Sequence, residues 1–137
     1  MRLFIDCEFN GFCGELISMA LIDDSGAEWY GVLPCEKPVD WVAKNVMPVL
    51  GKAPGSKGDF QKSLFAFLGR YQTVHVVADW PEDIAHFCNA LIVGPGQRMN
   101  TPPLSMEVRQ DLNVVSVVPH NALEDARAIR KLAMGMA

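Results

Sequence analysis

The stretch Leu3-Phe4-Ile5-Asp6-Cys7-Glu8-Phe9 constrains this chain more than any other. Three apolar residues precede an acid, a small residue and a second acid. Residues 3–5 read as a short buried strand. Residues two apart on a strand point to one face, so Asp6 and Glu8 project together from the strand's end. Two carboxylates on one face repel each other and resist desolvation. A divalent cation between them removes both problems, and hard cations such as Mg²⁺ take such oxygen ligands. The competing reading is a strand fraying into solvent with two ordinary surface acids, since Asp-x-Glu is a common accident.

The chain has 137 residues, enough for a single domain over 1–137 with a sizeable core. Half of the residues are hydrophobic and 20% are charged, the balance of a globular protein. No apolar run approaches the roughly 20 residues of a membrane helix. Asp6 and Glu8 arrive too early for a signal segment. The expectation is a cytoplasmic protein with no membrane partner. Cys7, Cys13, Cys35 and Cys88 form no Cys-x-x-Cys pair and have no zinc-finger histidine spacing. Cys7 and Cys88 lie among apolar residues and are expected as small core hydrophobes. The formal net charge is -4 and there is no basic run. That argues against a nucleic-acid-binding module working by charge alone. It leaves open an enzyme that meets phosphate through bound cations, which invert the local charge.

Along the chain, residues 10–14 form a turn with two glycines. Residues 15–22 and 28–33 read as strands joined by the hairpin turn 23–26, which gives an antiparallel meander with the opening strand at the sheet's centre. Residues 39–46 read as a short helix with Asp40 as N-cap, ending near Pro48. Residues 51–58 are a Gly/Pro/Lys-rich loop. Asp59 then caps a helix whose apolar face is Phe60, Leu64, Phe65, Phe67 and Leu68, with Gly69 near its end. Residues 73–78 form a buried β-branched strand. A helix over 81–92 follows, with Pro81 in its tolerated first turn. Residues 94–103 are a loop, 104–112 fit a short strand and a helical turn, and 114–118 form an apolar run stopped by Pro119. Residues 121–134 are amphipathic at helical spacing. The fold class is α/β: a mixed sheet with antiparallel opening strands and flanking helices.

Asp79 directly follows the strand 73–78, and Asp83 opens the next helix. Strand ends and helix starts are where α/β sheets place their sites. Helix capping competes with this, and for Asp79 the N-cap is the favoured role. His120 stands at the mouth of the last helix. Asp125 shares a helical face with Ala122 and Ile129, where an acid needs a partner or a metal. The competing roles are His120 as cap and Asp125 paired with an arginine. His75, alternating within a strand, and His86, in mid-helix, read as structural.

The order Asp6-x-Glu8, then Asp83, then His120-x4-Asp125 resembles the DEDDh family of 3′–5′ exonucleases, relatives of ribonuclease T and oligoribonuclease. The stretches Glu15-Leu16-Ile17-Ser18, Glu28-Trp29-Tyr30 and Trp41-Val42-x-x-Asn45-Val46-x-Pro48 resemble its short, single-domain bacterial and mycobacterial exoribonucleases. The likeness spans nearly the whole chain, and the run from His120 to Ala126 is its most specific part. It implies a ribonuclease H-like fold and hydrolysis of single-stranded RNA 3′ ends, with DNA as the alternative substrate, to nucleoside 5′-monophosphates. It also implies two Mg²⁺ or Mn²⁺ ions, bridged by Asp6, with Glu8 and Asp125 at one ion and Asp83 at the other. His120 is then the general base, and Phe9 and Trp80 are candidates to stack on terminal bases; for Phe9, core packing is at least as strong a reading. Many family members carry asparagine upstream of the third acid. Asp79 stands there in this chain, so Asp79 and Asp83 both compete for that role, Asp83 being preferred for its place on the helix. Many relatives are dimers, and the 51–58 and 94–103 loops are candidates to close a site in trans. A different class, a catalytically weak protein-binding module on the same fold, stays open. A metal-independent hydrolase has no Ser/His/Asp arrangement or Gly-x-Ser-x-Gly to support it.

Overall fold

The apolar opening forms a strand longer than its hydrophobic run. In the computed structural model, which describes residues 1–112 and 114–136, β1 runs Arg2–Phe9. Asp6 and Glu8 therefore sit within the strand and do not fray from its end. The reason is the partner: β2 (Leu16–Asp23) pairs antiparallel along almost all of β1, with Asp6 opposite Ala20 and Glu8 opposite Ser18. β3 (Glu28–Val32) extends the meander. β4 (Val74–Ala78) joins the other edge of β1 in parallel. The chain also forms α1 (Asp40–Asn45), a 3₁₀ turn at Met47–Val49, α2 (Lys57–Leu68) and α3 (Pro81–Ala90). A small hairpin of β5 (Ile92–Gly94) and β6 (Gln97–Arg98) precedes β7 (Leu104–Val108) and α4 (Ala122–Ala133). The main sheet has the order β3-β2-β1-β4-β7, with β7 parallel to β4. The opening strand lies at its centre, as expected.

Alternation along β1 divides the molecule. Leu3, Ile5 and Cys7 face α2 and α3, packing with Phe60, Leu64 and Phe87. Phe4 faces α4, packing with Ala20, Ile22, Ala122, Ala126 and Ile129. Leu3, Phe4 and Ile5 are wholly buried, and burying each side chain contributes about 1.5–3 kcal/mol. Asp6 and Glu8 share the α4 face with Phe4 by the same alternation. A smaller cluster of Ile17, Val32, Val42, Val46 and Leu50 seats α1. No helix among the described residues is long and apolar enough to cross a membrane.

Several local expectations are corrected. Asp40 is the first residue of α1, not its cap; Val39 holds the cap position without a side-chain bond. Ser56 caps α2, its hydroxyl accepting from the Asp59 amide at 3.1 Å. The Gly/Pro-rich sequence before Asp59 hides a helical first turn, from Lys57, that the Ser56 acceptor helps to stabilise. Phe65 is exposed on the outer face of α2, and Cys88 is exposed on α3. The loop 94–103 contains β6, because Gly96 at φ +66 turns the chain back onto β5.

The β2–β3 turn is pinned to the rest of the fold by Asp23, 2% exposed. Its Oδ1 accepts from the Ser25 amide at 2.8 Å, the Ser25 hydroxyl at 2.6 Å and the Ala27 amide at 2.9 Å. Its Oδ2 accepts from the Tyr71 hydroxyl at 2.7 Å. From α4, Arg130 donates to the Asp23 and Asp24 carbonyls. Burial pushes the Asp23 carboxyl up, but these donors outweigh it and hold it below its ordinary value. The stability it contributes is therefore present above the usual carboxylate range and lost as pH falls through its lowered value. Asp23→Ala is expected to cost about 1–3 kcal/mol at neutral pH, with a smaller gap below about pH 4. Urea unfolding at both pH values measures this; equal midpoints for variant and parent at pH 7 would contradict it.

Candidate metal centre

β1 outruns its parallel neighbour, and the acids gather in the resulting gap. Pairing with β4 ends at Phe4 opposite Val77, while β1 continues to Phe9. Beyond that point a side chain takes over: the Cys7 amide donates to Asp83 Oδ1 at 3.2 Å. Asp83 stands in the first turn of α3 and is 2% exposed. Asp79, the residue after β4, is partly buried beside it. Asp79 does not cap α3, contrary to its favoured role; Trp80 holds that position with no side-chain bond.

The other wall comes from α4. Asn121 caps it, accepting from the Glu124 amide at 2.9 Å, and its own amide group donates to the Val49 carbonyl at 2.7 Å. Ala122 and Ala126 are fully buried against the sheet; their small side chains let the helix come close. Asp125 rides on this contact. It has no arginine partner: Arg127 pairs with Glu28 and Glu124, and Arg130 serves the β2–β3 turn. His120 precedes the Asn121 cap at φ +71, a left-handed conformation uncommon outside glycine. Its ring meets Trp41 of α1 edge to face, centroids 4.9 Å apart. A cleft of about 310 Å³ brings His120 together with Asp6, Asp79, Ser116 and Asp125.

The carboxylates fall into two groups. Asp6, Glu8 and Asp125 each offer an oxygen within 4.8 Å of the others, and so do Asp6, Asp79 and Asp83. Burial, followed by the charge of Asp125, pushes Glu8 up to about 8. Burial, followed by the charge of Asp79, pushes Asp83 up to about 8. Asp6 is raised well above its ordinary value, first by burial, then by Asp83, Glu8, Asp125 and Asp79 in turn. Burial also raises Asp79 and Asp125. Asp6 Oδ2 and Asp83 Oδ2 are buried with no hydrogen-bond partner. Among the described residues, no arginine or lysine forms an ion pair with any of the five acids. Buried acceptors without donors need a proton or a cation. A set made only of carboxylate oxygens suits Mg²⁺ or Mn²⁺ over zinc.

Phe9 does not join the acids. It packs against the α2–α3 core and stacks on His86 at 5.0 Å. Trp80 is exposed, its indole N–H donating to Glu82 at 3.2 Å. His75 lies on the sheet 2.7 Å from the Ser105 hydroxyl and 3.3 Å from Glu107. The sequence reading missed the Trp41–His120 contact and the Cys7 amide. The local signals around Trp41 describe only a short amphipathic helix, and a backbone donor leaves no trace in a sequence.

The raised carboxyls have a stability consequence. Each favours its protonated form on folding, so its contribution is greatest below the unfolded value near 4 and is lost as pH rises towards 8. Asp83→Asn removes one such group while keeping an oxygen for the Cys7 amide. In EDTA at pH 8 this variant is expected to melt higher than the parent, by about 4 °C for each kcal/mol relieved, and with a smaller gain at pH 5. A lower melting temperature at pH 8 would contradict the crowding of unpaired acids.

No protein-family model matches the chain, and no curated protein matches it in sequence comparison. The functional reading therefore stands on the convergence of acids and a histidine at the end of the central strand.

Proposed function

We propose that this chain is a metal-dependent 3′–5′ exonuclease of the DEDDh type on a ribonuclease H-like fold. It trims single-stranded nucleic acid, RNA in preference to DNA, and releases nucleoside 5′-monophosphates. The observation that carries this reading is the pairing of two carboxylate groups around a shared Asp6 with a histidine lining the same cleft. The five-strand mixed sheet with its antiparallel opening is compatible with the fold.

In this reading Asp6 would serve both ion positions, Glu8 and Asp125 would complete one, and Asp83 would serve the other. Bound there, Mg²⁺ or Mn²⁺ supplies charge neutralisation for a phosphodiester and an acidified water. The residues do the rest. The acids, repelling each other and unpaired, fix where cationic charge must lie and so where an anionic phosphate is tolerated in a chain of net charge -4. His120, through a ring nitrogen, accepts the proton of the attacking water. Trp41 limits the swing of that ring by its edge contact. Trp80, exposed beside the acids of α3, offers a face for a terminal base.

Incubation with 5′-labelled single-stranded RNA, and with DNA of the same sequence, tests this. The expected result is a ladder shortening from the 3′ end in Mn²⁺, faster on RNA, and none in EDTA. Intact strands in every metal would overturn the proposal. Asp6→Ala and Asp125→Ala are expected to fold and to lose activity by about 10²-fold or more, the scale of losing a metal-site group. His120→Ala is expected to fall by about 10²–10⁴-fold while still binding Mn²⁺. Full activity in Asp6→Ala or Asp125→Ala would remove the two-ion assignment, and an unchanged rate in His120→Ala at neutral pH would remove it as the base.

A further inference from the structure

We infer that Asp79 is a direct ligand, so that this chain holds two cations with five carboxylates: Asp6, Glu8 and Asp125 around one, and Asp6, Asp79 and Asp83 around the other. The inference rests on the exonuclease reading of the same cleft and extends it to a residue which that reading leaves unused.

Four observations support it. First, Asp79 has no structural task at the helix start, since α3 begins at Pro81 after Trp80 with no side-chain cap. Capping therefore does not account for this partly buried acid. Second, the oxygens of Asp6, Asp79 and Asp83 lie within 4.8 Å of one another, as do those of Asp6, Glu8 and Asp125. Two triads that share one residue describe two positions, not one diffuse acidic patch. Third, Asp83 is 2% exposed and satisfied on one side only. Its Oδ1 takes the Cys7 amide, while its Oδ2 is buried with no donor. Asp79 stands within hydrogen-bonding reach of Asp83, and because both are acceptors when ionised, only a proton or a cation can join them. Fourth, the backbone fixes this meeting. β4 ends at Ala78, so Asp79 leaves the sheet where β1 continues alone, and the Cys7 bond draws the first turn of α3 onto β1.

The chemistry follows from the donor count. Three carboxylates around a divalent ion leave net negative charge, which favours a hard cation and retains room in its shell for water or phosphate oxygens. A site with Asp83 alone beside Asp6 would hold its ion loosely. Asp79 makes the second position as acidic as the first.

Mn²⁺ titration of the full chain, with free ion followed by electron paramagnetic resonance, tests this without any substrate. The parent is expected to bind two ions. Asp79→Asn, close to isosteric and retaining one oxygen, is expected to keep the first ion at parental affinity and to weaken the second by about tenfold or more. Asp79→Ser, read alongside by circular dichroism, guards against a folding defect peculiar to one substitution. Two ions bound with parental affinity by both variants would overturn the role of Asp79 and leave the exonuclease reading standing. A parent that binds no ion, or only one, would overturn the inference too, and a parent that binds none takes the exonuclease reading with it.

Discussion

Five carboxylates meet where the central strand runs past its parallel neighbour, and no arginine or lysine among the described residues pairs with them. The rest of the molecule can be understood as the frame that enforces this meeting. Like charges at such distances, partly out of water, repel strongly. They stay together because each is fixed by something larger than the repulsion. Asp6 and Glu8 are carried by a strand whose Leu3, Phe4 and Ile5 are fully buried. Asp125 is carried by a helix seated through Ala122, Ala126 and Ile129. Asp83 is held by a backbone amide of the same central strand.

This arrangement separates stability from function within one chain. The Asp23 turn, with its four donors to one carboxylate, shows what a satisfied buried acid looks like here. Its carboxyl is lowered, whereas Glu8 and Asp83 are raised to about 8. The contrast lies in the partners. Asp23 accepts from four donors, whereas Asp83, among the described residues, accepts only from the Cys7 amide and is crowded, like Glu8, by other carboxylates. Crowded acids that weaken the fold persist where something other than folding requires them.

Much of the fold was legible in the sequence because its elements bury regular patterns. Residues 15–22 form an apolar run that turns back at 23–26 onto 28–33 as a hairpin, and the last helix keeps its apolar stripe. The extent of β1 was not legible, since Asp6, Cys7 and Glu8 break the apolar run and only pairing with β2 shows them to be strand. The Ser56 cap was hidden among glycines and a proline, and the β5–β6 hairpin lay in what reads as a loop. For the site, the strand period placed Asp6 and Glu8 on one face, and the helical period singled out Asp125. Asp79 was misjudged because N-cap chemistry is local, whereas its true neighbours come from a parallel crossover that no spacing reveals. Phe9 is a different case: the same strand period puts it on the face opposite the acids, against His86, which supports its core-packing reading.

The decisive measurement is thermal unfolding of the parent chain at pH 8 with EDTA and with saturating Mn²⁺. If the acids are built around cations, Mn²⁺ raises the midpoint, by about 2.7 kcal/mol of stability at a hundred times the dissociation constant. The gain shrinks at pH 5, where protons compete for the same oxygens. A midpoint that Mn²⁺ and Mg²⁺ both leave unmoved at pH 8 would show that protons alone satisfy the cluster, and the metal centre would have to be abandoned.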